Sequence, residues 1–254
     1  MMASLMFKFR TFLFNLGFIL ACITISILGF STCFFSYRIC HWWSVVFGRF
    51  INFWLKLTCN ITVEIQGKEH LPKQFFSKEF IPAVPKQPYV VLANHQSAWE
   101  TFALQAYFYP LVTVLKKELL MIPLWGWSLR LIHPIVLDRK QKRQALVRVI
   151  RQGKAALKRG YNILLFPEGT RAVPPAMGEF SRSGVGLACA MGCPVILVAH
   201  NAGLYWPARK WSKRPGIIKV SVSKPIITQG KKVNEVYQEA VSWMQSELSV
   251  LNYT

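Results

Sequence analysis

The sequence predicts an α/β fold, a mixed sheet flanked by helices, preceded by an apolar helical segment that associates with a membrane. Three observations carry this. Beyond about residue 60, strand-length apolar runs alternate with helix-period patterns, as in a layered α/β domain. The stretch from Thr11 to Tyr37 contains no charged residue. No acidic residue occurs before Glu64, although Lys8, Arg10, Arg38, Arg49 and Lys56 do. The change in character near residue 60 divides the chain into a membrane-anchoring helical segment (1–60) and an α/β domain (61–254).

The uncharged run exceeds the roughly 20 residues that cross a bilayer as a helix. It is too long for the apolar core of a signal peptide, and no small-residue cleavage site follows it, so the sequence predicts that it is retained. Gly29, Ser31 and Thr32 are positions where the run could turn back as a re-entrant hairpin. Basic residues lie on both sides (Lys8 and Arg10, then Arg38 and Arg49), which leaves its orientation open. The next segment, His41–Leu57, places Ser44, Gly48, Asn52 and Lys56 four residues apart on a rod rich in Trp and Phe. That narrow polar stripe, with Trp42, Trp43 and Trp54, predicts a helix lying in the membrane interface. Strands are predicted at Ile61–Gln66, Tyr89–Ala93, Ile132–Leu137, Tyr161–Phe166, Pro194–Ala199 and Ile217–Val222. A proline-punctuated loop, Leu71–Pro88, joins the first two. Helices are predicted over Lys140–Arg159, where Leu146, Val149, Ile150 and Leu157 share a face, and over Val233–Leu248, where Val236, Ala240 and Met244 repeat the period.

Lys and Arg number 31 against 11 Asp and Glu, a formal charge of +20 that calls for a polyanionic partner. With 52% apolar residues, a solvated nucleic-acid tail is excluded, and the expected anions are membrane lipids and phosphorylated substrates. The six cysteines form no CxxC pair and read as reduced thiols rather than metal ligands. Asp138 is the sole aspartate, so a carboxylate metal site, and with it a metal-dependent phosphate-ester hydrolase, is hard to build. The Asn60 and Asn252 triplets read as chance matches to a glycosylation signal.

Two strands end in chemistry. VVLANHQSAWE (90–100) delivers His95 and Glu100 beyond the strand Tyr89–Ala93. On one continuous helix these side chains would diverge by about 140°. They meet only if His95 sits in the turn and Glu100 on the helix that follows, where the carboxylate can hold one ring nitrogen while the other faces a substrate proton. The second strand, YNILLF (161–166), runs into PEGTR (167–171), where Gly169 permits close backbone approach and Arg171 offers a planar fork for a phosphate or carboxylate.

Taken together these blocks resemble the glycerolipid acyltransferase family, and most closely its 1-acyl-sn-glycerol-3-phosphate acyltransferases. NHQSAWE (94–100) is similar to the family's first block, KKELLMIPLWGW (116–127) with PIVLDR (134–139) to its second, FPEGTR (166–171) to its third and CPVILVAHN (193–201) to its fourth. The family has Asp at the position of Glu100, a departure that bears on the His–carboxylate geometry and on the acceptor. The resemblance implies acyl transfer from acyl-CoA or acyl carrier protein to a lysophospholipid, with His95 as base and Glu100 as its orienter. It assigns the acceptor phosphate to Lys117, Arg139 and Arg171, with Arg182 beside them, and the acceptor side of the pocket to Glu168, Gly169 and Thr170. It implies no metal and no cofactor beyond the acyl donor, no nucleic-acid partner, and a membrane location. The expected membrane is the cytoplasmic face of a bacterial inner membrane, with the endoplasmic reticulum as the alternative. No GxSxG elbow surrounds any serine, so direct attack by the acceptor hydroxyl is expected rather than an acyl-serine. Other lysophospholipids or glycerol 3-phosphate are alternative acceptors, and a basic lipid-binding scaffold is the non-enzymatic alternative.

Overall fold

The computed structural model describes residues 2–32, 34, 36–79, 81–137, 142–208 and 210–253. Two long helices, α1 (Met2–Thr32) and α2 (Tyr37–Cys59), precede β1 (Ile61–Gln66), the short α3 (Lys73–Phe76), β2 (Val90–Ala93) and α4 (Trp99–Tyr107). Next come β3 (Leu111–Lys116), α5 (Trp125–Leu129), β4 (Ile135–Leu137), α6 (Lys142–Lys158) and β5 (Asn162–Leu165). The chain ends with α7 (Ser183–Met191), β6 (Val195–His200), α8 (Ala202–Tyr205), β7 (Gly216–Val222) and α9 (Val233–Tyr253).

The strands form one seven-stranded sheet in the order β1-β7-β6-β2-β5-β3-β4. It is mixed, as predicted: β7 pairs antiparallel with β6 but parallel with β1, so these two strands run against the rest. The central strands are buried on both faces, and their side chains alternate between two cores. Val91, Ala93, Leu164, Ile196 and Val198 pack with α2 and α4. Val90, Leu92, Ile163, Leu165, Val195 and Leu197 pack with α6, α7 and α9. β3 is absent from the sequence reading. LVTVLK follows Pro110 and is rich in β-branched residues, but it runs without a break into KKELL, so its far end carries no turn signal. At the other edge, Ile132 belongs to a helical turn, Arg130–Ile132, and only Ile135–Leu137 is extended.

α1 and α2 form a helical hairpin. α1 runs unbroken through Gly29, Ser31 and Thr32, and α2 packs back along it. Trp54 Nε1 donates to the Phe14 carbonyl at 3.1 Å and Trp43 Nε1 to Thr32 Oγ1 at 2.9 Å, so these tryptophans staple the hairpin. α2 packs one face in the protein and leaves Phe53 and Leu57 exposed. Its buried face, including Val45, Phe47, Ile51 and Leu55, belongs to the core. Its stripe of small and polar positions faces α4: Ser44 Oγ bonds Gln105 at 3.3 Å, and Asn52 accepts from Trp99 Nε1 at 2.8 Å. An amphipathic pattern reports one distinctive face but not what covers it. α1 is long and apolar enough to cross a bilayer. Phe14 on one side is buried, while Leu5, Phe9, Phe12, Leu16, Ile23 and Ile27, at helical spacing, are exposed. Five cysteines are free thiols, and Cys33 lies outside the described residues.

A Cβ on Gly48 would strike the backbone carbonyl oxygen of Phe102, so this glycine sets how closely α2 and α4 approach. Gly48→Ala should therefore lower stability by about 1–3 kcal/mol, outweighing the gain in helix propensity of about 1 kcal/mol. Gly186→Ala in α7, where a Cβ meets open space, should keep that gain. Thermal unfolding in detergent reads both, and a Gly48→Ala protein as stable as the parent contradicts the packing argument.

Candidate active site

Sheet order brings the chemistry together. β2 lies between β6 and β5 and runs parallel to both, so the turns after all three strands open at one edge. Ligand sites in α/β sheets gather at such carboxyl ends. These turns carry NHQSAWE, FPEGTR and the His200-Asn201 pair. Asn94 stitches two of them. Its Nδ2 donates to the His200 carbonyl at 2.9 Å, and its Oδ1 accepts the His200 N–H at 2.9 Å, continuing the β2–β6 pairing beyond the strand.

His95 sits in the turn and Glu100 in the first turn of α4, and their contact is direct: His95 Nδ1 lies 2.8 Å from Glu100 Oε1. The same oxygen accepts the backbone N–H groups of Gln96 at 3.0 Å and Ser97 at 2.9 Å. The extra methylene of Glu is thus accommodated by a turn folded over the carboxylate. Glu100 has no exposed surface, whereas the His95 side chain is 15% exposed. Burial alone would raise the Glu100 pKa, but His200, His95 and the Ser97 N–H outweigh it and hold the carboxyl below its ordinary range. The backbone N–H groups of Gln96 and Ser97 on Oε1 favour the ionised form. With Nδ1 engaged, Nε2 is the ring nitrogen left to meet a reactant. The imidazole lies against the Phe166 ring, centroids 4.2 Å apart at 20°, which fixes its plane.

Glu168 holds the backbone of this turn. One oxygen accepts the His95 N–H at 2.8 Å and the other the Gly178 N–H at 3.0 Å. Burial raises its pKa, against the pull of those two N–H groups. The His95 carbonyl in turn accepts the Ala172 N–H at 2.8 Å, so the loop after β5 grips His95 on both sides. Gly169 has φ +67° with open space where a Cβ would stand, so backbone conformation is what calls for glycine here.

Thr170 and Arg171 follow and are exposed, and Arg171 has no ion-pair partner among the described residues. Arg171 also borders an apolar cavity of about 180 Å³ between α1, α2, α4 and α5, lined by Ile25, Phe47, Phe102, Trp125 and Leu131 among others. Lys117 is exposed just past the end of β3, the strand beside β5. Arg182 is drawn elsewhere: its guanidinium lies 4.6 Å from the Tyr237 ring centroid on α9. Arg139 lies outside the described residues. Sequence reasoning missed Asn94, Phe166 and His200 as parts of the site. His200-Asn201 had a signal, since it repeats the polar pair after an apolar strand seen at Asn94-His95.

The family model described as Acyltransferase matches residues 62–201. A 1-acyl-sn-glycerol-3-phosphate acyltransferase from Pseudomonas aeruginosa is 39% identical over 207 residues, covering 80% of this chain and 76% of that protein. The enzyme of the same name from Saccharomyces cerevisiae is 30% identical over 209 residues, covering 79% of this chain and 64% of its own length. The crystal structure of a 1-acyl-sn-glycerophosphate acyltransferase from Thermotoga maritima has the same fold, with TM-score 0.78, 21% identity, and coverage of 98% of this chain and 97% of that one.

An ionised, buried carboxylate has a consequence for acid stability. Because its folded pKa is depressed, the stability Glu100 contributes is present above the unfolded value near 4.3 and is lost as pH falls through the lower folded value. Unfolding free energy should therefore decline more steeply below about pH 4.3 in the parent than in Glu100→Gln. Denaturant titrations across pH 3–7 read this, and parallel profiles contradict an ionised Glu100.

Proposed function

The chain belongs to the acyltransferase family, and from that premise we propose that it transfers a fatty acyl group from an acyl thioester to the sn-2 hydroxyl of 1-acyl-sn-glycerol 3-phosphate, giving phosphatidic acid. The observation that carries this reading is the 2.8 Å His95–Glu100 contact, close in the chain to the exposed Arg171 that borders an apolar cavity. The acceptor has the matching parts: a hydroxyl for the base, a phosphate for the cation and a hydrocarbon chain for the cavity. The names of the Pseudomonas aeruginosa and Saccharomyces cerevisiae relatives support this acceptor.

The geometry supports one sequence of events for the step. His95 Nε2 takes the proton of the acceptor hydroxyl as its oxygen attacks the thioester carbonyl. Glu100 stabilises the imidazolium so formed and keeps the ring turned by holding Nδ1–H. The tetrahedral intermediate expels the thiolate, which takes the proton back from His95. The chain then carries no acyl group and the balance is closed. Arg171 and Lys117 hold the phosphate, with Arg139 assigned beside them by family resemblance. Glu168 and Gly169 act on the backbone that shapes the acceptor side. The donor is a thioester of coenzyme A or acyl carrier protein, and the step calls for no metal or further cofactor. The bare apolar stripe of α1 supports a membrane location, and this reading assigns the cytoplasmic face of a bacterial inner membrane.

The test is thioester consumption with each donor against a panel of acceptors: lysophosphatidic acid, neutral lysolipids and glycerol 3-phosphate. Lysophosphatidic acid should be preferred, and His95→Ala should cut kcat by at least about 10²-fold. A neutral lysolipid used equally well overturns the acceptor. Arg171→Ala should raise the acceptor KM by about 10- to 100-fold, the loss of a charge-assisted contact of about 1.5–3 kcal/mol, and leave the donor KM near its parent value. A rise confined to the donor KM overturns the role of Arg171.

A further inference from the structure

His200 closes β6 and lies wholly inside the protein, beneath the His95–Glu100 pair. Its ring Nδ1 accepts the Ala202 N–H at 3.3 Å, and a nitrogen that accepts carries no proton, so the hydrogen-bond pattern assigns the ring proton to Nε2. That N–H meets the Asn94 carbonyl at 3.0 Å, and Glu100 Oε2 lies 3.9 Å from the same nitrogen. The two oxygens of Glu100 are treated unequally. Oε1 contacts His95 and accepts two backbone N–H groups, while Oε2 is buried without a hydrogen bond. Burial keeps His200 neutral, against the pull of Glu100 and the Asn94 carbonyl. A cation here would compete with His95 for the carboxylate, whereas a neutral ring offers only the dipole of its N–H.

We propose that His200 is a positioning residue for the acyl-transfer step: its Nε2–H steadies Glu100 Oε2 and so fixes the rotation of the carboxylate that keeps Oε1 on His95. A carboxylate bonded at one oxygen and bare at the other relieves its buried charge by turning the bare oxygen toward available donors. The donors nearest at hand are those that Oε1 already uses. The His200 dipole removes that drive, and Trp99, whose ring centroid lies 5.6 Å from that of His200, closes one side of the pair. The proposal rests on His95 being the base.

The experiment compares kcat and acceptor KM in two backgrounds. In the parent, His200→Phe, which keeps a ring but removes the N–H, should lower kcat by about tenfold at unchanged acceptor KM. His200→Gln, whose amide N–H stands near the position of Nε2, should stay within about twofold. In Glu100→Asp, whose shorter carboxylate no longer reaches His200, the Phe substitution should cost less than about twofold. Equal losses in both backgrounds, or equal losses for Phe and Gln, overturn the proposal and leave His200 as a packing residue. Should His200→Phe fail to fold, nitrogen NMR of histidine-labelled parent protein decides: a proton on Nε2 supports the proposal and a proton on Nδ1 overturns it. His95→Ala separates the two readings. If it keeps its turnover, both the base and the proposal fail; if it is inactive while His200→Phe works normally, only the proposal fails.

Discussion

Glu100 is an ionised carboxylate with no exposed surface, and removing such a charge from water costs several kcal/mol unless donors surround it. The donors come from different levels of the structure. Two are backbone N–H groups of the turn that α4 starts from, so the turn must close over the carboxylate. One is the His95 ring, so the imidazole is oriented by the same charge that needs it. The N-terminal end of α4 adds its dipole in the favourable sense. Local fold and reactive geometry therefore share one electrostatic requirement.

The sheet makes that requirement achievable. Because β2 runs between β5 and β6, Glu168 reaches the His95 backbone from one neighbour and Asn94 reaches His200 on the other. Each clasp replaces a ladder bond lost where the strands end, and each involves a side chain with no freedom to serve elsewhere. Arg171 is exposed outside this network and has no ion-pair partner among the described residues, and Lys117 is exposed past the end of β3. Rigid acids inside and exposed cations at the rim are the division of labour expected when one group must be positioned and another must meet a substrate.

Much of this was legible in the sequence, and the reasons are local. β2, β5 and β6 are short apolar runs bounded by turn residues, and NHQSAWE and FPEGTR follow two of them, so the strand ends and their polar cargo could be placed together. The separation of His95 from Glu100 also required a turn followed by a helix, which is the arrangement found. Other features depend on tertiary context. β3 is β-branched and follows Pro110, but it merges with KKELL at its far end, so its extent is set by pairing with β5 and β4. The stripe on α2 is a true amphipathic pattern, but whether water, lipid or α4 covers it is decided by elements far away in the chain. Glu168 reads as a substrate contact in FPEGTR, yet both its oxygens are spent on backbone N–H groups, because partners at 95 and 178 are invisible to local spacing. His200 required knowing that β6 lies beside β2.

The account stands most directly on the charge of Glu100 rather than on its shape. Single-turnover acyl transfer at saturating acceptor, comparing the parent with a folded Glu100→Gln protein, isolates that charge, because Gln is nearly isosteric and still carries an oxygen. The account predicts a loss of at least about 10²-fold in the transfer rate, as the imidazolium forms without its counter-charge. A transfer rate within a few-fold of the parent would contradict it and leave His95 acting without the carboxylate around which the site is folded.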